Sequence, residues 1–335
     1  MERRVTISGS LENLGNEWDN IADFYFQKRE FITHLHKYNP CSQRYYELYY
    51  KNRLVAGAVV YTLKVDILTF ANIPSPLTMH VIGLPASIAT TPIIGNPGEF
   101  QYLLNDLLQK EKGLILGLNM MEDYLVGKVI NMRTLPTIIL KMGFENTKSY
   151  ENSLRHTYRR RLRRFREKFS NVRTETSDCS LFNQEHYRLY LEIMKRTRTK
   201  LEILGFDLFR NLPSNFILTT HYNKDSMLCW HITCHDGNVL FFFFGGMNYS
   251  LRDHYQSYHN NLYIIITEAL NNKYDIIDLG QTAEIAKTHL GGKPEERRMF
   301  LYHRNPVIFH FLRPFKSLLT YSKTNEKSNV FKISN

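Results

Sequence analysis

The stretch KYDIIDLGQTAEIAKTHLGG, Lys273–Gly292, decides how this chain is read. KYDIIDLG is a compact apolar run closed by a glycine, the signature of a short buried strand. The residues beyond that glycine matter for chemistry, because α/β proteins present ligand-binding groups past the C-terminal ends of their strands. Gln281, Glu284 and Lys287 stand three residues apart and share one face if the segment is helical. A carboxylate there can deprotonate an amine nucleophile, and a lysine can stabilise an oxyanion or a phosphate. The same Glu284 and Lys287 serve equally well as an ordinary surface pair at i, i+3. Gly280, Gly291 and Gly292 argue only for tight turns.

Working outward, the second half has a recognisable order. Gln184 to Lys200 is predicted helical. MLCWHITCH, the turn DGN and VLFFFFGGMN form a hairpin, with aromatic and β-branched residues on both arms. After a loop comes a helix from about Tyr258 to Asn271, whose Leu262, Ile265, Ile266 and Leu270 have core-facing spacing. Then come the strand KYDIIDLG and a later one, RMFLYHR. The first half repeats this order. A helix from Asn16 to Lys37 ends before Asn39-Pro40, and RYYELYY, KNR and LVAGAVVYTLKV form a hairpin. The loop GNPG (Gly95–Gly98) leads into EFQYLLNDLLQKEKG, with Phe100, Leu103, Leu104, Leu107 and Leu108 on one helical face. The strand GLILGLNM, a helical or irregular patch and the strand PTIILKMGF complete it. The expectation is an α/β protein built from two copies of one module, residues 1–148 and 171–335.

Between them, residues 149–170 read as a connecting helix. Ser149 is the expected N-cap, and Tyr150, Leu154, Tyr158, Leu162, Phe165 and Phe169 make an amphipathic stripe. From Leu154 to Phe169, eight of sixteen residues are Arg or Lys and Glu167 is the lone acid. Two readings stand: a solvated basic face, or an anion-binding surface that includes Arg159, Arg160 and Arg163.

Composition limits the partners. The chain has 335 residues, 43% hydrophobic and 13% aromatic, which is globular rather than disordered composition. Its formal net charge of +11 favours nucleic acid, anionic lipid or phosphorylated small molecules. Four scattered cysteines suit a reducing, cytoplasmic compartment. Cys229, His231, Cys234 and His235 lie close in sequence, but strand alternation splits them between two faces and no second pair completes a tetrahedral site, so no metal is expected. The polar N-terminus does not read as a signal peptide, and none is expected. Residues 67–95 carry no charged side chain and imitate a membrane span, yet four prolines interrupt them. They read as buried strand and loop, with no transmembrane segment expected and a shallow peripheral membrane contact left open.

A second candidate site is SYHNNLY, Ser257–Tyr263, at the start of a helix whose free amides suit a phosphate; Tyr258 and His259 can exchange protons there. The GNPG loop can cradle an anion in the first half. No Walker, GxGxxG, GxSxG or HExxH motif is present.

These residues resemble the GNAT acyltransferase superfamily, in the tandem arrangement of Fem-type peptidyltransferases and related cell-wall and polysaccharide acetyltransferase-like proteins. SYENSLRHTYRRRLRRFREKF is similar to the basic helix joining the two modules of that group. YLEIMKRTRTK with DLFRNL resembles the helices that open its second module. YDIIDLGQTAEIAKTHLGG resembles its strand, Asp-x-Gly, Lys-hydrophobic-Gly signature.

The resemblance implies two GNAT-like modules, each a mixed sheet flanked by helices, with the active cleft in the second. It implies transfer of an acyl or aminoacyl group to an amine, on a small molecule or a cell-wall or polysaccharide precursor. The donor is acyl-CoA or aminoacyl-tRNA, which would make tRNA a partner. Lys287 matches the family lysine after the Asp-x-Gly strand and is the candidate for stabilising donor phosphate or the tetrahedral intermediate; Gln281 and Glu284 lie in the matched stretch without a family role. One departure stands out. The family's Arg/Gln-x-x-Gly-x-Gly/Ala loop is replaced by YSLRDHYQSYHNN, which has no glycine, and this weakens the acyl-CoA reading. The alternative is a non-catalytic module binding a polysaccharide precursor or nucleic acid.

Overall fold

The computed structural model describes residues 3–39, 41–71, 73–86, 88–121, 128–197, 199, 201–322 and 328–332. The chain divides into two compact units, and neither is contiguous in sequence. The first comprises Met1–Leu135, Arg198–Gly205 and Glu296–Lys323; the second comprises Pro136–Thr197, Phe206–Glu295 and Thr324–Asn335.

The first unit holds strands β1 (Arg3–Ser8), β2 (Arg44–Tyr50), β3 (Arg53–Asp66), β4 (Pro76–Ile82), β5 (Ile93–Gly95), β6 (Leu114–Met120), β7 (Ile130–Arg133) and β15 (Arg298–His303). Their order is β1-β2-β3-β4-β6-β15-β7, with β5 also on β3. Helices α1 (Arg29–Tyr38), α2 (Pro97–Lys110), α10 (Pro306–Leu312) and α11 (Lys316–Leu319) accompany it. The β2–β3 hairpin closes through Lys51 and Asn52, both at positive φ as a type I′ turn needs. α2 buries Phe100, Leu103, Leu104, Leu107 and Leu108 against the sheet, as its period predicts.

The second unit holds β8 (Thr137–Lys141), β9 (Arg173–Asp178), β10 (Phe216–Asn223), β11 (Ser226–Asp236), β12 (Val239–Met247), β13 (Ile276–Asp278) and β14 (Lys293–Glu295), ordered β14-β8-β13-β12-β11-β10-β9. Its helices are α3 (Thr147–Ser153), α4 (His156–Glu167), α5 (Gln184–Arg196), α6 (Phe206–Arg210), α7 (Arg252–Tyr255), α8 (Ser257–Asn271) and α9 (Glu284–Thr288). The β11–β12 hairpin turns at Gly237, φ 55°, where the sequence places DGN. α8 buries Leu262, Ile265, Ile266 and Leu270 with Ile277 of β13 and Leu140 of β8. Both units are thus mixed sheets flanked by helices.

The structure differs from the sequence reading in several places. β8, expected in the first module, pairs with β13 and β14 of the second unit, and β15, expected in the second, pairs with β6 and β7 of the first. The units are therefore not the contiguous blocks 1–148 and 171–335. A short apolar run announces a strand, but its sheet is set by long-range pairing that periodicity does not encode.

The helix expected over 16–37 is two 3₁₀ turns, Asn16–Ile21 and Tyr25–Gln27, followed by α1. Chain reversal there buries Trp18, whose indole N–H donates to the Gln27 carbonyl at 2.8 Å, and Gln27 Oε1 accepts from the amides of Asp23 and Phe24. The helix expected from Gln184 ends at Arg196, and Lys200 lies outside the described residues.

The connecting helix is two helices, α3 and α4, both within the second unit. Asn146, not Ser149, caps α3: its Oδ1 accepts from the Ser149 amide at 2.9 Å. The break at Leu154-Arg155 is filled by the segment near Phe331. The Arg155 amide donates to the Val330 carbonyl at 2.9 Å and the Lys332 amide to that of Ser153 at 2.8 Å. Of the stripe, Tyr150, Leu154 and Leu162 are buried, while Tyr158, Phe165 and Phe169 are half-buried. Residues 122–127, part of the irregular patch read after GLILGLNM, lie outside the described residues. Among the described residues no helix is long and apolar enough to cross a membrane; the uncharged 67–95 stretch supplies β4 and β5 instead.

Candidate functional site

In the second unit, two neighbouring strands part company. β12 and β13 run parallel only over Val239–Phe241 against Ile276–Asp278. β13 ends there, whereas β12 continues to Met247 against β11. Among the described strands, none pairs with residues 242–247 of β12 on the β13 side, so the sheet splays there. The register also shifts, Ile232 opposing Phe244 and Thr233 opposing Phe242, which leaves Phe243 as the extra residue. Such a bulge bends and re-aims a strand.

Opposite this opening lies the loop from Asp278 to Lys287. Asp278 Oδ1 accepts from the Gly280 amide at 2.8 Å and from the Thr137 hydroxyl. Gly280, Thr282 and Ala283 have φ of 71°, 65° and 48°. Two of these carry side chains that disfavour the left-handed region, so the loop holds conformational strain of the kind that collects at functional sites.

Lys287 closes the loop. Only 2% exposed, its Nζ donates to the carbonyls of Gly280 at 3.0 Å and Gln281 at 2.6 Å, and sits 5.9 Å from the centroid of the Phe242 ring. Burial pushes its pKa down to about 7, against the opposing pull of Asp278 and Glu284. This corrects two expectations. The segment is helical only over Glu284–Thr288, so Gln281 does not share a helix face with Glu284 and Lys287. Nor is Lys287 half of a surface ion pair, because it is buried against backbone carbonyls.

The second candidate, at the start of α8, meets α4. Gln256 precedes α8 at φ 50° with no side-chain cap, leaving first-turn amides that Tyr258 and His259 flank. The His259 ring stacks on Phe165 at 4.2 Å. Arg161 Nη1 lies 3.0 Å from His289 Nδ1, and the His289 ring lies 5.6 Å from that of Tyr158. Burial lowers the His259 pKa to about 4, helped by Arg161, His289 and Arg252. Burial raises the Tyr258 phenol. His289 lies two residues beyond Lys287, so α4, the first turn of α8 and the end of α9 belong to one neighbourhood with a cationic lining. Arg160 and Arg163 are exposed on α4 and Arg159 is half-buried.

Sequence reasoning missed Arg161, Phe165 and His289. Phe165 was visible as a stripe position, but nothing local separates Arg161 from its neighbours or marks His289.

The first unit treats the corresponding region differently. After β4, Ala86, Ile88, Ala89 and Thr91 are held through their backbone groups. Glu202 accepts from the Ala86 amide at 2.7 Å, Asn119 Nδ2 donates to Ile88 at 2.8 Å, Arg297 Nε to Ala89 at 3.2 Å, and Gln27 Nε2 to Thr91 at 2.9 Å. In GNPG, the Gly98 amide is taken by Asn96 Oδ1 at 3.0 Å. The four cysteines are free thiols, and among the described residues no three metal-ligating side chains converge.

No protein-family model matches this sequence, and no curated protein matches it either. Solved structures do. FemX superposes with a TM-score of 0.57 over 93% of this chain and 100% of its own, at 13% identity. A tandem GNAT protein from the clavulanic acid biosynthesis pathway gives 0.51 over 90% of this chain and 98% of its own, at 8% identity. The C-terminal domain of a putative lysylphosphatidylglycerol synthetase from Agrobacterium fabrum gives 0.51 over 77% and 85%, at 10% identity. At such identities the likeness concerns the fold, which is two GNAT-like modules in tandem, related to that of Fem-type proteins.

Proposed function

We propose that the second unit transfers an activated acyl or aminoacyl group to an amine and so makes an amide bond. The observation that carries this reading is Lys287, a buried amine with a depressed pKa at the mouth of a strand opening. Burying a lysine is costly, and strongly perturbed groups of this kind gather at functional sites.

In the reaction the amine nitrogen attacks the carbonyl of an ester or thioester. The N–C bond forms, the C–O or C–S bond breaks, and a proton passes from the amine to the departing oxygen or sulfur. Lys287 has two of its three N–H groups on Gly280 and Gln281, and the third suits the oxyanion of the tetrahedral intermediate. Glu284 or His259 takes the amine proton. Gln281 and Tyr258 line the donor site. The uncapped first turn of α8, with Arg161, Arg252 and His259 around it, suits a donor phosphate. Coenzyme A and tRNA both supply one; the second would also engage Arg159, Arg160 and Arg163. The acceptor is an amine-bearing small molecule or a cell-wall or polysaccharide precursor, and four free thiols agree with a cytoplasmic location.

The test offers labelled acetyl-CoA or bulk aminoacyl-tRNA with a mixture of amino acids and amino sugars. The expected product is an amide, which survives neutral hydroxylamine where the ester or thioester donor does not. Lys287→Met is expected to lower the rate by about 100-fold or more. Transfer from neither donor would sink the proposal.

One observation favours a second reading, a non-catalytic module that binds a polysaccharide precursor or nucleic acid. The segment from Asn248 to Gln256 has no glycine and is stiffened by α7 and by Asn248 Oδ1 accepting from the Ser250 amide at 3.1 Å. Backbone cannot approach a pyrophosphate there as closely as a glycine loop allows.

A further inference from the structure

The first unit presents an apolar face that its own core does not cover. α10, a 3₁₀ turn over Arg313–Phe315 and α11 succeed one another almost without interruption. Phe309 and Leu312 pack inward with the buried Leu319. Val307, Ile308, Phe311, Phe315 and Leu318 are all exposed, Val307 at 75% and Phe311 at 68%. Their spacing of one, three, four and three residues puts them on one side of a helical path. The rings of Phe311 and Phe315 lie 5.6 Å apart, so their apolar surface is continuous.

Charge completes the pattern. Arg313 and Lys316 are exposed in the same segment, and the sequence has no Asp or Glu between Glu296 and Glu326. Contiguous exposed apolar surface of this kind marks an interaction site. Aromatic and aliphatic residues on one face, with Lys and Arg on the rest of the helix, are the composition of a helix that lies in a bilayer interface. We propose that the α10–α11 face docks on the surface of an anionic lipid bilayer, inserting Phe311 and Phe315 at acyl-chain level while Arg313 and Lys316 meet lipid phosphates. Charge complementarity selects this occupant. A second copy of the chain, itself at +11, would bring cations against cations. The proposal does not depend on the transferase reading.

The test uses the full chain with sedimented vesicles of pure phosphatidylcholine and of phosphatidylcholine with about 30% phosphatidylglycerol, enough anionic lipid to give the surface a negative potential. Binding to the anionic vesicles alone is expected, weakened but not abolished by raised salt. Phe311→Ser with Phe315→Ser should cut that partition by about tenfold or more, because two exposed rings no longer enter the bilayer. Removing the charge of Arg313 and Lys316 together should cut it by about 25-fold, since each cation near the surface contributes about fivefold. The four side chains are exposed, so an unchanged melting temperature will show that each variant folds. Arg159, Arg160 and Arg163 give the counter-test: their replacement by serine should leave vesicle binding unchanged. The proposal fails if the wild type ignores anionic vesicles, or if the phenylalanine double variant binds as the wild type does. It also fails if the arginine variant, and not the phenylalanine one, loses binding. Self-association that the phenylalanine substitutions abolish, without vesicle binding, would make a second copy the occupant and overturn it as well.

Discussion

The Nζ of Lys287 lies 3.0 Å from the carbonyl oxygen of Gly280, and that same oxygen accepts the amide of Ile138 at 3.2 Å. One carbonyl thus ties β8 to α9 through the loop after β13. Both of its lone pairs are used, which fixes the direction in which the loop leaves the sheet.

A buried lysine leaves a trace in the pH dependence of stability. Its pKa is 10.5 when exposed in the unfolded chain and about 7 in the folded one. Between those values the unfolded state binds more protons, so this group makes stability rise with pH from about 7 upward, by at most ~1.4 kcal/mol per pH unit. Urea unfolding of the wild type and of Lys287→Met, compared from pH 7 to about 9.5, isolates it from other titrating groups. The wild type should gain on the variant as pH rises. A constant difference would mean that the amine is not buried as described.

Tyr150 anchors α3 to the end of the same loop. It is fully buried, and its hydroxyl donates to the Leu290 carbonyl at 2.8 Å. Tyr150→Phe keeps the ring and leaves that carbonyl unpaired. The expected loss is about 1–2 kcal/mol in chemical unfolding, with no change in the denaturant slope.

How much of this was legible depended on whether the deciding partner lay nearby in sequence. The β11–β12 hairpin was readable because its turn and its arms are adjacent. α8 was readable because four apolar residues at helical spacing repeat within one segment. The break in the basic helix was not readable: Arg155 is satisfied by Val330 and Phe331, 176 residues away in the case of Phe331. The placement of β8 and β15 failed for the same reason. At the candidate site, spacing singled out Lys287 and Glu284 but suggested a surface pair. Thr282 and Ala283, ordinary residues in a left-handed conformation, give no sequence sign that the helix starts late and turns Lys287 inward.

β12 passes over Trp230 with almost no clearance. A Cβ on Gly246 would come within 2.0 Å of the indole nitrogen, which already donates to the His186 carbonyl at 2.8 Å. Gly246→Ala should therefore cost about 1–3 kcal/mol, as overpacking does, and lower the melting temperature. Tolerance of alanine would show that β12 does not lie against Trp230.

Arg159, Arg160 and Arg163 have no carboxylate partner among the described residues and are at least partly open to solvent. Replacing all three by serine should leave folding unaltered. If the donor is a tRNA, the slope of log affinity against log salt should become shallower by about 2–3, because three phosphate contacts are lost. An unchanged slope would assign these arginines to a solvated face.

If the α8 and Lys287 neighbourhood of the second unit is a donor site, a bound donor stabilises the chain against heat. The purified chain is melted with coenzyme A, acetyl-CoA or bulk tRNA at low and high salt, alongside Arg161→Ser and His259→Ala variants. A donor at about 100 times its dissociation constant stabilises the folded state by about 2.7 kcal/mol, a shift of several degrees. At least one donor should raise the melting temperature of the wild type, and both variants should blunt the rise. No shift from any donor, or a shift that both variants retain in full, would contradict a donor site there.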